Sequence, residues 1–304
     1  MHTHKQSIYE EITGQIITAL EQQLNPWAKS WQTVQYGPYR NAFTARPYRG
    51  INILLLNMAA GLHGYSDPRW LTFHNALHLG GHVRKGEKGT AIIFWKFLPA
   101  QGGNDEDESD LTGDEEQGKL IPFARSYMVF NVEQCEGLAL QPLGEEEPWL
   151  AENGNELAER ILSLPKLKHG GNRACYLLGT DTVLLPRRTR FENVNFYYST
   201  GFHEVCHWTG HPDRLNRTFG KRFGDLAYAF EELVAEIGAA FLGPQTGIPF
   251  ENMRHPEYIQ HWLEILKGDS KAIFTASAKA QIAADFILER AGITIQEETL
   301  PAAA

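Results

Sequence analysis

The chain has 304 residues, of which 42% are hydrophobic and 21% are charged, a composition typical of globular proteins. No apolar run approaches the roughly 18 residues of a membrane span, and the N-terminus shows no signal peptide, so we expect no membrane partner. The three cysteines, Cys135, Cys175 and Cys206, are far apart, which argues against a disulfide framework and favours a reducing cytoplasm.

The formal net charge of −9 conceals an asymmetry along the chain. Residues 1–100 hold ten Lys and Arg against five Asp and Glu, whereas residues 101–117 hold eight acidic residues and no basic one. A basic first third indicates an anionic partner for that segment. The acidic run has almost no apolar content and predicts a solvated loop.

Helices and a β-hairpin are predicted for the basic first third. Apolar residues at helical spacing predict one helix from Ile8 to Leu24 and a buried one from Gly50 to Ala60. Asp67-Pro68 predicts the start of a third helix, Arg69 to Leu79, with Asp67 as its cap. Two strands are expected to pair across the acidic loop as a long hairpin: Ala91–Phe97 and Ser126–Asn131.

Helices dominate the prediction for the second half. A Gly/Glu/Pro-rich stretch at 142–150 reads as a linker, and a helix near Asn153–Leu164 follows it. Ala174–Leu178 and Asp181–Leu185 are strand-like, and the second is predicted to be an edge strand because proline ends it. Four more helices are predicted: Tyr197–Trp208, Asp225–Leu242, His255–Lys267 and Ala272–Glu289.

The stretch from His203 to His207 reads His-Glu-x-x-His, the zinc-protease signature. Residues four apart share one face of a helix, so the two imidazoles can bind one metal. Glu204 can then reach a metal-bound water and act as general base. Two histidines four apart also arise by chance in a chain with 12 histidines, so the motif alone does not decide.

A catalytic zinc site needs a third protein ligand. Glu232 is the first candidate, because it follows His207 by 25 residues on an apolar helix, where a carboxylate needs a partner to offset its desolvation. Glu231 and Glu236 on the same helix stay open, as a ligand or as a group that orients a histidine. Asp213 fits the metzincin spacing, although His-Pro-Asp is more commonly a turn. The expected ion is Zn²⁺ or another divalent metal such as Mn²⁺.

Aromatic and cationic residues alternate through the first third of the chain. Stacking rings beside phosphate-neutralising side chains are what sequence-tolerant binding of single-stranded DNA needs. The alternative is that the rings belong to the core and the cations to a solvated surface. The predicted DNA-binding residues are Trp27, Lys29, Trp31, Arg46, Tyr48, Arg49, Arg69, Trp70, Arg84, Lys85 and Lys88.

Several long stretches resemble one family in the order in which they occur there. Asn25-Pro26-Trp27-Ala28-Lys29-Ser30-Trp31 and Tyr65-Ser66-Asp67-Pro68-Arg69-Trp70-Leu71-Thr72-Phe73 resemble the N-terminal domain of ArdC-type antirestriction proteins, a domain shared with plasmid TraC primases. His203-Glu204-x-x-His207-Trp208-Thr209-Gly210-His211-Pro212-Asp213-Arg214-Leu215-Asn216-Arg217 resembles the zincin-like C-terminal domain of that family.

The resemblance implies a plasmid-borne protein that binds single-stranded DNA and shields incoming DNA from host restriction during conjugation. We expect an α+β fold of two domains, with an α/β DNA-binding domain carrying a small antiparallel sheet at 1–141. A linker at 142–150 and a mainly helical, zincin-like metallopeptidase domain at 151–304 would follow. The alternative is an active metalloprotease that cleaves a host protein and uses DNA binding only for localisation.

Overall fold

A computed structural model describes residues 7–22, 26–27, 36–99, 120–143, 155–220, 225–250 and 256–293. The fold is α+β with two domains, small sheets in the N-terminal part and a mainly helical C-terminal part, as predicted. No helix within these ranges is long and apolar enough to cross a membrane.

The first helix, α1 (Ile8–Glu21), begins at a capping box. Ser7 Oγ accepts a hydrogen bond from the Glu10 N–H, and the Glu10 carboxylate accepts one from the Ser7 N–H. The second helix, α2 (Ile51–His63), ends at Gly64 in the left-handed conformation that glycine tolerates. Both helices bury an apolar face.

A four-stranded sheet organises the N-terminal part, with strand order β1-β2-β5-β4. The long hairpin predicted from the sequence is present, with Thr90 opposite Val129 and Pro99 opposite Leu120. The side chain of Asn52 on α2 hydrogen-bonds to this hairpin. Its Oδ1 accepts from the Ile93 N–H at 2.7 Å, and its Nδ2 donates to the Ile93 carbonyl oxygen at 2.8 Å. The strands of this sheet are β1 (Arg40–Asn41), β2 (Arg69–Leu71), β4 (Thr90–Pro99) and β5 (Leu120–Asn131); β3 (His82–Val83) pairs separately with β6 (Cys135–Glu136).

The predicted helix from Arg69 to Leu79 is wrong in its first part. Residues 69–71 form β2, and the short helix α3 (Phe73–His78) begins only after Thr72, whose Oγ1 accepts from the Asn75 N–H. Asp67 is no cap; its carboxylate accepts from the N–H and the guanidinium of Arg69. Burying the Trp70 side chain in the sheet outweighs the local preference for helix.

The C-terminal part places a three-stranded sheet beside a helical bundle. Its elements are α4 (Glu156–Leu162), β7 (Lys166–His169), β8 (Cys175–Leu177), β9 (Thr182–Leu185), α5 (Val194–Thr209), α6 (Leu226–Thr246), α7 (Pro256–Gly268) and α8 (Ala272–Arg290). The prediction that 181–185 is an edge strand is wrong, because β9 lies between β7 and β8. The neighbour β7 was missed since two of its four residues are exposed lysines rather than an apolar run.

One hydrophobic core joins residues from both sides of the predicted linker. Ile12 and Ile16 of α1 and Leu54 of α2 belong to the same buried cluster as Trp262 and Ile287 of the C-terminal helices. Helix α1 packs on α7, and α2 packs on α8. The first third of the chain therefore packs on α7 and α8, and these two helices in turn contact the helices that carry the metal motif.

Candidate metal centre

Helix α5 presents two imidazoles at one point. His203 and His207 are one helical turn apart, and their Nε2 atoms lie 3.0 Å from each other. Both residues are buried, with 3% and 7% of their surface exposed. Asn193 is the N-cap of this helix, and its side chain accepts a hydrogen bond from the Phe196 N–H.

Helix α6 supplies the third group. Glu232 places Oε2 3.3 Å from His203 Nε2 and Oε1 3.4 Å from His207 Nε2. A tetrahedral site with ligand bonds of about 2.0–2.1 Å holds its donor atoms roughly 3.4 Å apart. The two Nε2 atoms and the Glu232 carboxylate are therefore close enough together to share one divalent cation. This donor set of two imidazoles and one carboxylate is one that zinc and manganese both accept.

Two further carboxylates face the outer nitrogens of the histidines. Glu236 Oε2 lies 3.2 Å from His203 Nδ1, and Glu231 Oε1 lies 3.2 Å from His207 Nδ1. Such partners fix the tautomer and the orientation of a ligating imidazole. Glu231 and Glu236 thus face the Nδ1 atoms of the histidines, on the side away from Glu232, which faces the Nε2 atoms.

Arg217 balances the charge of Glu231. Its guanidinium donates two hydrogen bonds to that carboxylate, at 2.7 and 2.9 Å, and is almost fully buried. It also donates to Thr209 Oγ1 and to the Cys206 carbonyl oxygen, both at 2.7 Å. These bonds tie the segment after α5 to the first turns of α6 and so hold the two ligand-bearing helices together.

The electrostatics of the centre favour positive charge between the ligands. Burial alone would lower the pKa of His207, but Glu232 and Glu231 outweigh it and raise that pKa to about 9. Burial would also lower the pKa of His203, but the hydrogen bonds to Glu232 and Glu236 raise it well above its usual value. Burial would raise the pKa of Glu232, yet the two imidazoles hold it far below its usual range. A divalent cation supplies the charge that these carboxylates attract.

Glu204 lies beside the three donors in a cleft of about 410 Å³. Burial raises the pKa of its carboxyl group, which accepts a hydrogen bond from the backbone N–H of Tyr176 on β8. Cys175 and Tyr176 of β8, which is an edge strand of its sheet among the described residues, border the cleft on one side. A carboxylate with a raised pKa next to a metal position is suited to accept and return a proton.

Asp213, the candidate ligand with the metzincin spacing, and three residues close to the motif lie outside the donor cluster. Asp213 is in a surface turn, where its side chain is 86% exposed and lies 3.6 Å from His211 Nδ1. Tyr198 bonds Glu159, and Tyr197 bonds His169, so both rings serve packing around α4 and β7. Cys206 is fully buried on the face of α5 that meets α6, as a small core residue.

Two residues of the centre had no assigned role in the sequence reasoning. Arg217 is distant from Glu231 in the chain, and only the reversal after α5 brings the two together. The signal available was that a glutamate predicted on an apolar helix needs a cation. Tyr228 lines the cleft near Glu232, and its hydroxyl lies 3.4 Å from that of Tyr258.

Comparison with known proteins relates both halves of the chain to known domains. The N-terminal domain of the anti-restriction factor ArdC matches residues 6–130, and a zincin-like metallopeptidase domain matches residues 157–279. The metal-free crystal structure of the antirestriction protein ArdC from plasmid R388 is similar over 94% of this chain and 98% of that one. Its TM-score is 0.76, at 34% sequence identity.

The chain belongs to the ArdC family of antirestriction proteins. A second structure of the R388 protein, with Mn(II) bound, matches at a TM-score of 0.74. An uncharacterized protein, y4eC of Sinorhizobium fredii, is 37% identical over 92% of this chain and 91% of its own length. The DNA primase TraC of Escherichia coli is 38% identical over 97% of this chain, but the chain spans only 28% of that primase.

Three aromatic residues predicted to contact DNA are core residues of this chain. Trp27, Tyr48 and Trp70 are 2%, 7% and 0% exposed. The Trp27 ring packs edge-on against Trp262, with centroids 5.3 Å apart, and Trp70 packs against Tyr39 and Tyr65. The prediction that these rings stack on bases is corrected, because burial closes their faces to a ligand.

Several predicted DNA-binding cations are already paired within the fold. Arg69 pairs with Asp67 at 2.7 Å, Arg84 with Glu87 at 2.6 Å, and Arg49 with Asp285. The remaining cations are exposed: Arg46, Lys85 and Lys88. Lys29 and Trp31 lie outside the described residues. Of the predicted DNA-binding cations that the structure describes, the exposed ones therefore lie in the turn after β1 and in the turn after β3.

Proposed function

We propose that this ArdC-family protein binds single-stranded DNA and protects incoming plasmid DNA from host restriction during conjugation, in the cytoplasm. Family membership carries the proposal, since a structure similar over almost the whole chain belongs to an antirestriction protein. We further propose residues 1–141 as the DNA-binding domain, 142–150 as a linker and 151–304 as the metallopeptidase-like domain. The excess of basic residues in the first third supports this division of roles.

The second domain, in this proposal, holds a divalent metal such as Zn²⁺ or Mn²⁺ through His203, His207 and Glu232. The spacing of the three donor atoms and the carboxylates behind both histidines support the assignment. A bound divalent metal supplies a Lewis acid that lowers the pKa of water. The Glu204 carboxylate accepts a proton. The side chains of His203, His207 and Glu232 around it are buried on α5 and α6.

Two measurements together test the proposed role in DNA binding and protection: affinity for single-stranded DNA and plasmid transfer into a restricting host. Binding of a labelled single-stranded oligonucleotide should weaken steeply between about 50 and 200 mM salt, because phosphate contacts release counterions. Replacing Lys85 and Lys88 with alanine should flatten that dependence and reduce plasmid transfer into a restricting host. Wild-type protein that binds single strands no better than an unrelated acidic protein would contradict the proposal.

A second candidate function is proteolysis of a host protein, with DNA binding used for localisation. The position of Glu204 beside the donor cluster and the edge strand β8 favours it. An edge strand can pair with an extended peptide.

Glu204→Gln separates the two candidates. The substitution preserves the shape of the side chain but removes its capacity to accept a proton, so metal should stay bound while hydrolysis is lost. Antirestriction that depends on DNA binding survives this change unaltered. Loss of protection in the variant, with metal and DNA affinity intact, would instead make proteolysis the function.

A further inference from the structure

Helix α3 exposes a face of apolar and aromatic side chains to solvent. Phe73 and Leu77 are 53% and 51% exposed, and His74 and His78 on the same face are exposed as well. Phe43, in the turn after β1, is 48% exposed and packs edge-on against His78, with centroids 5.8 Å apart. We call these five residues the ring patch. Contiguous exposed rings mark a surface that binds something.

The backbone around the ring patch holds its rings in place. Asn41 Oδ1 accepts hydrogen bonds from the N–H groups of Phe43 and Thr44, both at 2.9 Å, and this turn fixes the direction of the Phe43 side chain. The Nε2 atoms of His74 and His78 lie 2.9 Å apart, which restrains both imidazoles. Because little ordering remains to be done on binding, such a surface is preorganised for a ligand.

The segment of the chain that carries the ring patch is basic. Residues 36–99 contain eight Lys and Arg and two acidic residues. The backbone carbonyl oxygen of Arg46 accepts a hydrogen bond from the Asn41 N–H at 2.8 Å, and this bond closes the turn that carries Phe43. Lys85 and Lys88 follow β3, which packs on α3. This charge complements a polyanion.

A second exposed aromatic pair lies on the hairpin. Phe94 and Tyr127 are 51% and 37% exposed, and Arg125 lies 5.2 Å from the Tyr127 ring. The chain that joins the two strands, residues 100–119, contains eight acidic residues and one lysine. The sequence between the two strands is thus strongly acidic, whereas no acidic residue occurs in α3.

We propose that the ring patch is the platform on which bases of single-stranded DNA stack. The inference rests on the proposed DNA binding and names a surface other than the buried tryptophans. Four of the five side chains are flat rings, and every base offers a π-face, so the platform accepts any sequence. The cations beside it neutralise the phosphates of the same strand.

The test measures fluorescence anisotropy of a labelled oligothymidylate with the full chain, at several salt concentrations. Phe43→Ala and Phe73→Ala should each weaken binding about tenfold, because one stacked base is lost, without changing the salt dependence. Phe73→Tyr should bind as the wild type does, and Phe73→Leu should not, because leucine keeps the apolar volume but not the stacking face. Phe94→Ala is the matched control and should bind normally.

Unchanged DNA affinity in Phe43→Ala, Phe73→Ala and Phe73→Leu, with wild-type binding intact, overturns the ring patch and leaves the proposed function standing. The same result with a changed oligomeric state would assign the surface to a protein contact and also overturn it. Wild-type protein that does not bind oligothymidylate at low salt overturns both proposals. Thermal unfolding of each variant verifies the fold, which half-exposed side chains should leave unaltered.

Discussion

Arg217 is the residue on which the charge balance behind the metal ligands depends. It is the only arginine or lysine that the described residues place on the buried carboxylate of Glu231, which in turn faces His207. Burial would raise the pKa of Glu231, but the bonds from His207 and Arg217 hold it below its usual range. The guanidinium therefore acts on the metal ligand through one intervening carboxylate.

Arg217→Ala should destabilise the protein by about 3–5 kcal/mol, because it leaves a buried carboxylate without its partner. It should also weaken metal binding by about 10- to 100-fold, since the orientation of His207 is relaxed. Chemical denaturation and calorimetric metal titration measure the two effects. Arg214→Ala is the control, because Arg214 pairs with Asp181 and stacks on Trp208 without touching Glu231. Equal metal affinity in the two variants would contradict the role of Arg217.

The raised pKa of His207 makes metal binding dependent on pH. Its pKa rises from the usual 6.5 to about 9, so in the metal-free protein its contribution to stability is complete below pH 6.5 and is lost as the pH rises towards 9. A metal must displace that proton, so its apparent affinity should rise about tenfold per pH unit for each proton released. The difference in unfolding temperature between loaded and metal-free protein should therefore grow with pH. Parallel profiles for the two forms would contradict this account.

At the scale of elements, the close approach of α5 and α6 sets the distance between the histidines and Glu232. Gly238 permits it, because a Cβ atom there would lie 2.7 Å from the Sγ of Cys206. Van der Waals contact allows no such distance, so a larger residue forces the helices apart.

Gly238→Ala should cost about 1–3 kcal/mol of stability through overpacking and should weaken metal binding by separating the two helices. Adding Cys206→Ala removes the sulfur, and the nearest remaining atom of that side chain would then be its Cβ at 3.6 Å, an ordinary contact. The double variant should regain both stability and metal affinity. If the second substitution restores neither property, the spacing of α5 and α6 is not what Gly238 controls.

Helices were predictable from the sequence where the residues of the segment itself determine that it is helical. The predicted ends of α5, α6 and α8 lie within a few residues of the observed ones. Strands β2 and β7 were not predictable in this way, because what makes them strands is their pairing with β5 and β9, distant in the chain.

The same distinction applies to the candidate sites. The His-Glu-x-x-His spacing is local, so the positions of His203 and His207 on one helix face follow from the sequence. Whether Trp27 or Trp70 lies at the surface depends on which helices and strands cover it, and the alternation of rings and cations carries no information about that. An exposed ring such as Phe73 therefore differs from a buried one only in the folded protein.

Hydrogen bonds and an ion pair connect the N-terminal part of the chain to its C-terminal part. Thr13 donates to the Ser270 carbonyl oxygen at 2.6 Å, Lys267 pairs with Glu21 at 2.7 Å, and the Gly50 N–H bonds Gln281 at 2.9 Å. These contacts surround the shared hydrophobic core of α1, α2, α7 and α8.

Calorimetric unfolding should accordingly show one cooperative transition, since a continuous apolar interface makes the two parts unfold together. Added metal should move that whole transition upwards, because it binds only the folded state. Two separate transitions, with only one of them shifted by metal, would show that the parts are energetically independent.

We propose that His203, His207 and Glu232 form a divalent-metal site, and the metal content of the purified protein tests this proposal. Protein dialysed against Zn²⁺ or Mn²⁺ and then freed of excess ion should retain about one metal per chain by elemental analysis, and Glu232→Gln should retain far less. The Asp213→Asn variant should retain as much as the wild type, because Asp213 lies in the surface turn. Equal metal content in the wild type and in Glu232→Gln, or none in either, would contradict the site.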